Sequence, residues 1–192
     1  CSLVAVGPDG GPVSVAEDGD PERDIIMWMD HRAADETAAI NATRDPALAY
    51  VGGEASIEME LPKVLWLQRH CPDRYRAAAR FFDLADYLVW RCCGADTASV
   101  CTLTCKWNYL AHEGRFPEAM LRAVGLGDLG ARLPQRVLPL GSSPGTLTAA
   151  AARDLGLPVS VIVATGIIDA HAGGLALVGT RQVGLECVAP YT

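Results

Sequence analysis

Two aspartates in this sequence each end an apolar run and precede a stretch of helix-forming residues. Asp169 follows Val159–Ile168, and Asp30 follows Ile25–Met29. A carboxylate at such a junction lies at the carboxyl edge of a sheet, where ligands of open α/β folds gather. There it can accept a hydroxyl hydrogen bond or take the proton outright. Asp is also a good helix N-cap, and the local pattern by itself leans toward that plainer role at both positions. The two roles are compatible, because a cap also fixes its carboxylate. Gly173 and Gly174 follow Asp169 closely and, lacking Cβ, let a backbone or a ligand approach. Trp28, two residues before Asp30, is placed either to wall the same pocket or to fill the core.

Two further residues have the chemistry to hold polar ligand atoms. Lys106 is an isolated base in Cys105-Lys106-Trp107-Asn108-Tyr109. It is a three-donor point charge, or a surface lysine laying its stem on apolar neighbours. Glu58, between Ile57 and Met59, is a hydroxyl acceptor or simply faces solvent. Asp83 and Asp86 open a helix, where negative charge favours the helix dipole. The seven cysteines include no CxxC pair, and their spacing has no framework character. They read as reduced cytosolic thiols filling a core. A zinc set of Cys101, Cys105 and His112 lacks the paired spacing of structural zinc, so no metal site is expected.

The elements that must position these residues follow from periodicity and punctuation. Residues 2–6 and 12–15 read as a hairpin around Asp9-Gly10-Gly11. Residues 25–29 read as a strand buried on both faces. Helices are expected over 31–43, over 61–70 with Leu61, Val64, Leu65 and Leu67 on one face, and over 72–79. Phe81-Phe82 reads as a strand, 83–91 as a helix ended by Gly94, and 97–104 as a strand or extended segment. Helices follow at 117–124 and at 149–155, the latter capped by Thr148 and ended by Gly156. Val159–Ile168 is the strongest strand, and a helix starts at Asp169. Alternating strands and helices point to an α/β domain with a parallel or mixed sheet covered by helices.

Two motifs are set aside. Gly125-Leu126-Gly127-Asp128-Leu129-Gly130 spells a dinucleotide fingerprint, but a helix precedes it and Pro134 follows, so it is a loop. Asn41-Ala42-Thr43 is a glycosylation site by spelling alone.

The chain has 192 residues, half of them hydrophobic, and a formal net charge of -7. That is a globular balance with room for a real core. The acidity argues against nucleic acid and anionic membranes as partners. No apolar run approaches the roughly 20 residues of a bilayer span. The sequence goes straight from Cys1 into a strand, which reads as a piece of a longer chain.

These segments together resemble the FGGY carbohydrate kinases. Trp28-Met29-Asp30-His31-Arg32-Ala33 resembles the family's W-x-D-x-R-A segment. Asp83 to Gly94 (DLADYLVWRCCG) resembles its D-Y-L-x-x-x-x-T-G helix, with Cys93 where Thr is usual. Val161 to Gly179 (VIVATGIIDAHAGGLALVG) resembles the strand-Asp-helix-Gly segment that holds its catalytic aspartate. The resemblance covers essentially the whole chain and looks closest to D-ribulose kinases. It implies a ribonuclease-H-like domain of the actin-like ATPase superfamily, a mixed sheet with helices packed on it, incomplete at both ends. Residues 1–179 would form the N-terminal sugar-binding domain without its first strands and Asp-x-Gly-Thr/Ser phosphate loop. Residues 180–192 would begin the connection to a C-terminal ATP-binding domain. It implies Asp169 as catalytic base and Trp28, Asp30, Glu58 and Lys106 as sugar contacts. It also implies ATP and Mg²⁺ as cofactors, held largely by parts absent from this chain, and a small-molecule sugar or polyol as partner. The fragment alone is expected to be inactive. A rival expectation is a domain that only binds a polyol or forms a homodimer.

Overall fold

The computed structural model describes residues 2–178, so the expected connection at 180–192 lies outside the described residues. β1 (Leu3–Val6) is followed by β2 (Ile25–Ile26), α1 (Ala34–Ala42), a 3₁₀ stretch at Pro46–Val51, α2 (Glu60–His70) and α3 (Pro72–Ala77). Next come β3 (Arg80–Asp83), α4 (Leu84–Cys93), β4 (Thr97–Ser99), α5 (Val100–Lys106) and α6 (Glu118–Ala123). A 3₁₀ turn at Leu129–Arg132, then β5 (Arg136–Leu138), β6 (Gly145–Thr146), α7 (Ala149–Leu155), β7 (Ile162–Val163) and α8 (Asp169–Val178), complete the order. The strands form three small sheets: antiparallel β2-β1-β3, parallel β4-β5 and antiparallel β6-β7. The domain is thus mixed α/β, as expected, with its pairing split among short ladders.

β1 shows why the core sits where it does. All four of its residues are buried, and successive side chains point to opposite faces. Leu3 and Ala5 join the main core with α2, while Val4 and Val6 pack with Phe82, Tyr87 and Trp90 from β3 and α4. α2 is buried on every side from Glu60 to Leu67, not along the single face the spacing predicts. Burying each Leu or Val there stabilises the fold by about 1.5–3 kcal/mol. Glu36 of α1 is buried too, with Arg69 of α2 at 3.2 Å, which fastens the two helices.

Helix ends follow their punctuation. Asp83 Oδ1 accepts the Ala85 amide at 2.9 Å to start α4, and Gly94, at φ 71°, ends it in the left-handed region. Thr148 and Gly156 bound α7 in the same way. The 125–130 glycine stretch is a loop that buries Leu126 and Leu129. Asn41 uses its amide to bind Ala55 N at 2.7 Å and Ala55 O at 3.1 Å, a structural task.

The strands depart from expectation. β2 is only two residues long at a sheet edge, and Met27, Trp28 and Met29 are exposed rather than buried. The chain turns there, with Asp30 N bonded to Met27 O. β7 likewise covers two residues of the ten expected, because its partner β6 has only two to offer. The segment then runs irregularly past α4, so close that a Cβ on Gly166 would meet Ala85 Cβ at 2.9 Å. Residues 97–104 split at Ser99, whose Oγ accepts the Cys101 amide and starts α5. The expected hairpin survives as one bridge, Val6 to Pro12.

Candidate active site

The turn after β2 presents Trp28, Asp30 and Arg32. Asp30 does not cap α1, whose flanking residue is Ala33. It binds its own neighbour instead: the Arg32 amide donates to Oδ1 at 3.0 Å, and Arg32 Nε and Nη2 donate to the carboxylate at 2.6–2.9 Å. The Arg32 hydrogen bonds hold Asp30 below the ordinary carboxylate range. The guanidinium stacks on Trp66, 4.7 Å from the ring centroid. A cavity of about 720 Å³ opens here, lined by Asp30, Arg32, Trp66 and the acidic 17–24 loop. Its aromatic wall is Trp66; Trp28 stands outside it, the residue 44% exposed.

Behind this turn lies a buried charge centre that the sequence reading missed. Lys63 of α2 is fully buried, and its ammonium donates to the carbonyls of Trp28 at 3.1 Å and Glu58 at 3.2 Å. It therefore ties the Trp28 turn to the Glu58 turn. The Glu58 carboxylate itself is partly exposed and lies 3.9 Å from His31 Nε2. Glu60, also fully buried, has neither carboxyl oxygen hydrogen-bonded among the described residues. Burial pushes its pKa upward, opposed by the Lys63 charge. Asp30, Glu58 and Lys106 also bear electrostatically on Lys63. The ammonium therefore holds the backbone at two of the five candidate site residues, Trp28 and Glu58, and touches neither Asp30 nor Lys106. A lysine inside the apolar run Leu61–Leu67 was the available signal, since a charge is buried only where partners wait for it.

Lys106 ends α5, half-buried, and its charge acts on Glu60 and Asp83. What sets α5 in place is Asp86, read from sequence as a helix-dipole residue only. It is 2% exposed and accepts the Ser99 amide at 2.8 Å and the Thr102 hydroxyl at 2.5 Å. Burial raises its pKa to about 7 against those two hydrogen bonds. Asp86 thus joins α4 to the start of α5, one helix length from Lys106.

α8 opens with Asp169, whose side chain is exposed. Two residues on, His171 turns back to α5, with Nδ1 3.0 Å from Cys101 Sγ and 3.9 Å from Cys105 Sγ. The neighbouring Cys105 thiol and His171 hold Cys101 below the ordinary thiol range, while Cys101 and burial push Cys105 above it. His112, whose spacing argued against a metal set with these cysteines, lies elsewhere beside Glu113 and Tyr50. A second cavity, of about 650 Å³, adjoins the Cys–His cluster. Asp169 and Lys106 line neither of these cavities. The structure therefore does not bring Asp169 into one pocket with the other four residues; α8 meets α5 through His171 and Cys101.

The arrangement offers oriented acceptors, a half-buried ammonium and one solvent-facing carboxylate at a helix start. That set can hold hydroxyls and remove a proton from one of them. Comparison with known proteins gives the family. Residues 9–176 match the model of the FGGY family of carbohydrate kinases, N-terminal domain. The chain is 43% identical to the human FGGY carbohydrate kinase domain-containing protein over 97% of its own length and 35% of that protein's. It is 35% identical to a D-ribulokinase of Saccharomyces cerevisiae, over 94% of this chain and 28% of the yeast protein. The solved xylulose kinase of Rhodospirillum rubrum superposes with a TM-score of 0.78 at 24% identity, over 94% of this chain and 35% of that one. The chain thus spans about a third of the length of these relatives. With the motifs, the mixed α/β architecture and the family match in agreement, this chain belongs to the FGGY family of carbohydrate kinases and corresponds to its N-terminal domain.

Proposed function

We propose that the protein to which this chain belongs is an ATP-dependent carbohydrate kinase acting on the terminal hydroxyl of a pentulose, D-ribulose giving D-ribulose 5-phosphate. The observation that carries the reading is Asp169, a solvent-facing carboxylate at the first turn of α8, held by the His171–Cys101 contact against the helix that ends in Lys106. The D-ribulokinase of yeast, 35% identical over nearly the whole chain, supports the substrate.

In this reading Asp169 orients the sugar's terminal hydroxyl and accepts its proton as phosphoryl transfer proceeds. A loose transition state releases that proton late, so an ordinary carboxylate suffices. Asp30, fixed by Arg32, keeps the same acceptor geometry with or without sugar. Lys106 donates to sugar oxygens. Trp28, exposed on the turn that Lys63 holds, packs against the carbon chain, and Glu58 accepts from a hydroxyl. Such groups discriminate against analogues lacking a hydroxyl, because they would then be buried unpaired.

The described residues do not fit MgATP. Mg²⁺ takes oxygen ligands in octahedral geometry, and the one described cluster of three metal-capable side chains offers two sulfurs and an imidazole. No phosphate-cradling glycine loop stands among them either. ATP supplies the phosphoryl group from elsewhere in the protein; this domain's residues bind the acceptor and take its proton.

The test is thermal-shift screening of the full-length protein with D-ribulose, xylulose, L-ribulose and ribitol, followed by ATP turnover with each. D-ribulose should raise the melting temperature most and be phosphorylated fastest. Stabilisation and turnover led by another sugar would reassign the substrate. Binding without turnover would favour a sugar-binding protein that has lost catalysis.

A further inference from the structure

We infer that Cys101, Cys105 and His171 form a binding site for one thiophilic divalent cation of the zinc class, with a fourth coordination position open to the adjoining cavity. Nothing in the kinase reading calls for this site, and the inference does not rest on that reading.

The geometry is the first argument. Cys101 and Cys105 are four residues apart on α5, so they share a helix face. His171 meets them from α8, and the three ligand atoms lie within 4.8 Å of one another. Tetrahedral zinc, with Zn–S of about 2.3 Å and Zn–N of about 2.0 Å, spaces its ligand atoms roughly 3.5–3.8 Å apart. The observed separations of 3.0 Å and 3.9 Å from His171 to the two sulfurs bracket that spacing. Small rotations of three side chains would close the site around an ion.

Charge and surroundings are the second argument. The cavity wall beside the cluster is apolar, formed by Val100, Leu140, Ile167 and Leu175. Two thiolates and a divalent cation sum to zero, so the loaded site places no net charge against that wall. Thr104 lines the same cavity, and its buried hydroxyl has no hydrogen-bond partner. A water on the open coordination position would give it one. Sulfur donors also exclude Mg²⁺, so the site would not compete for the metal of the nucleotide.

A disulfide is the other chemistry two thiols offer. Residues four apart on a helix have Cβ atoms roughly 5–6 Å apart, beyond the roughly 3.5–4.5 Å of a disulfide. Oxidation would therefore require α5 to yield, whereas metal binding would not. Because α5 ends in Lys106 and α8 begins with Asp169, an ion here would staple the two elements together.

The experiment uses full-length protein, reduced and stripped by chelator. Zn²⁺ uptake is measured by competition with a chromophoric chelator, together with proton release, and Co²⁺ loading is read optically. The expected result is one ion per chain, release of up to two protons from the thiols, and a thiolate-to-cobalt charge-transfer band. X-ray absorption of the zinc form should show two sulfur neighbours and an imidazole, a readout that needs no variant. Cys101→Ser, Cys105→Ser and His171→Gln should each weaken binding by at least about 10–100-fold, the loss typical when only a group hydrogen-bonded to a metal ligand is removed. Cys92→Ser and Cys93→Ser should leave it unchanged. Uptake without a charge-transfer band, affinity unaltered in Cys101→Ser and Cys105→Ser, or a Cys101–Cys105 disulfide with no metal uptake would each overturn the inference.

Discussion

The Trp28–Arg32 turn and the Ile168–His171 turn each present an aspartate, and they hold it in opposite ways. At the first, Arg32 binds Asp30 through its amide and guanidinium, Trp66 supports the guanidinium, and Lys63 fixes the backbone from behind. At the second, Asp169 is exposed, and its helix is anchored through His171 and not through the carboxylate. The first arrangement suits recognition, because an acceptor that is already oriented loses little freedom when a ligand arrives. The second suits proton transfer, because among the described residues the carboxylate has no hydrogen bond to give up when it takes a proton. On this account the N-terminal turn sets affinity and the α8 turn sets rate.

Apart from Asp169 itself, the largest effect is expected at Lys63, on which the rigidity of the first turn depends. Lys63→Met should destabilise the protein by roughly 3–5 kcal/mol, because the carbonyls of Trp28 and Glu58 both lose a charged donor. Adding Glu60→Leu should recover part of that stability, because it removes a buried carboxyl with no hydrogen-bond partner among the described residues. Sugar affinity should stay low in the double variant, since Trp28 and Glu58 are still untied. Denaturant melts beside sugar titrations check both halves, and recovered affinity would show that Lys63 only balances Glu60.

Asp86 comes next. Asp86→Ala strands the Ser99 amide and the Thr102 hydroxyl and should cost about 2–4 kcal/mol in chemical denaturation. Its pH dependence has a definite sign. Burial raises the native pKa to about 7, above the unfolded value near 3.9, so the native state holds the proton more tightly. The favourable term is complete below about pH 4 and is lost as pH rises through about 7. Stability measured across that window should fall more steeply in the wild type than in Asp86→Asn.

The smallest effect is expected at Arg32. Arg32→Ala frees Asp30 and removes the cation over Trp66. It should raise KM for the sugar about tenfold while leaving kcat within a few-fold, the signature of lost uniform binding. An equal fall in kcat would blur the contrast between the two turns.

Reading the chain before its structure succeeded where the determinants are local. Asp83 with Gly94, and Thr148 with Gly156, bound their helices because a capping side chain and a left-handed glycine act within a few residues. Strand lengths failed because a ladder extends only as far as its partner does. Ile25–Met29 and Val159–Ile168 are apolar enough to be strands, yet each pairs over two residues. Trp28, Asp30, Glu58 and Lys106 were visible as residue types in telling places, but the ammonium that ties the Trp28 and Glu58 turns together lay hidden in an apolar helix. His171 reaches Cys101 across 70 positions of sequence, a separation no spacing rule spans. Asp30 and Asp169 looked alike because the arginine that distinguishes them acts through its side chain, not its position.

The central claim is that Asp169 serves the chemical step and not the fold or the binding of sugar. Its direct test is kcat and D-ribulose affinity of the full-length Asp169→Asn variant, measured side by side. The account predicts a kcat lower by about 10²–10⁴, with sugar affinity and melting temperature close to wild type. Turnover at the wild-type rate, or a loss explained entirely by sugar affinity, would contradict it.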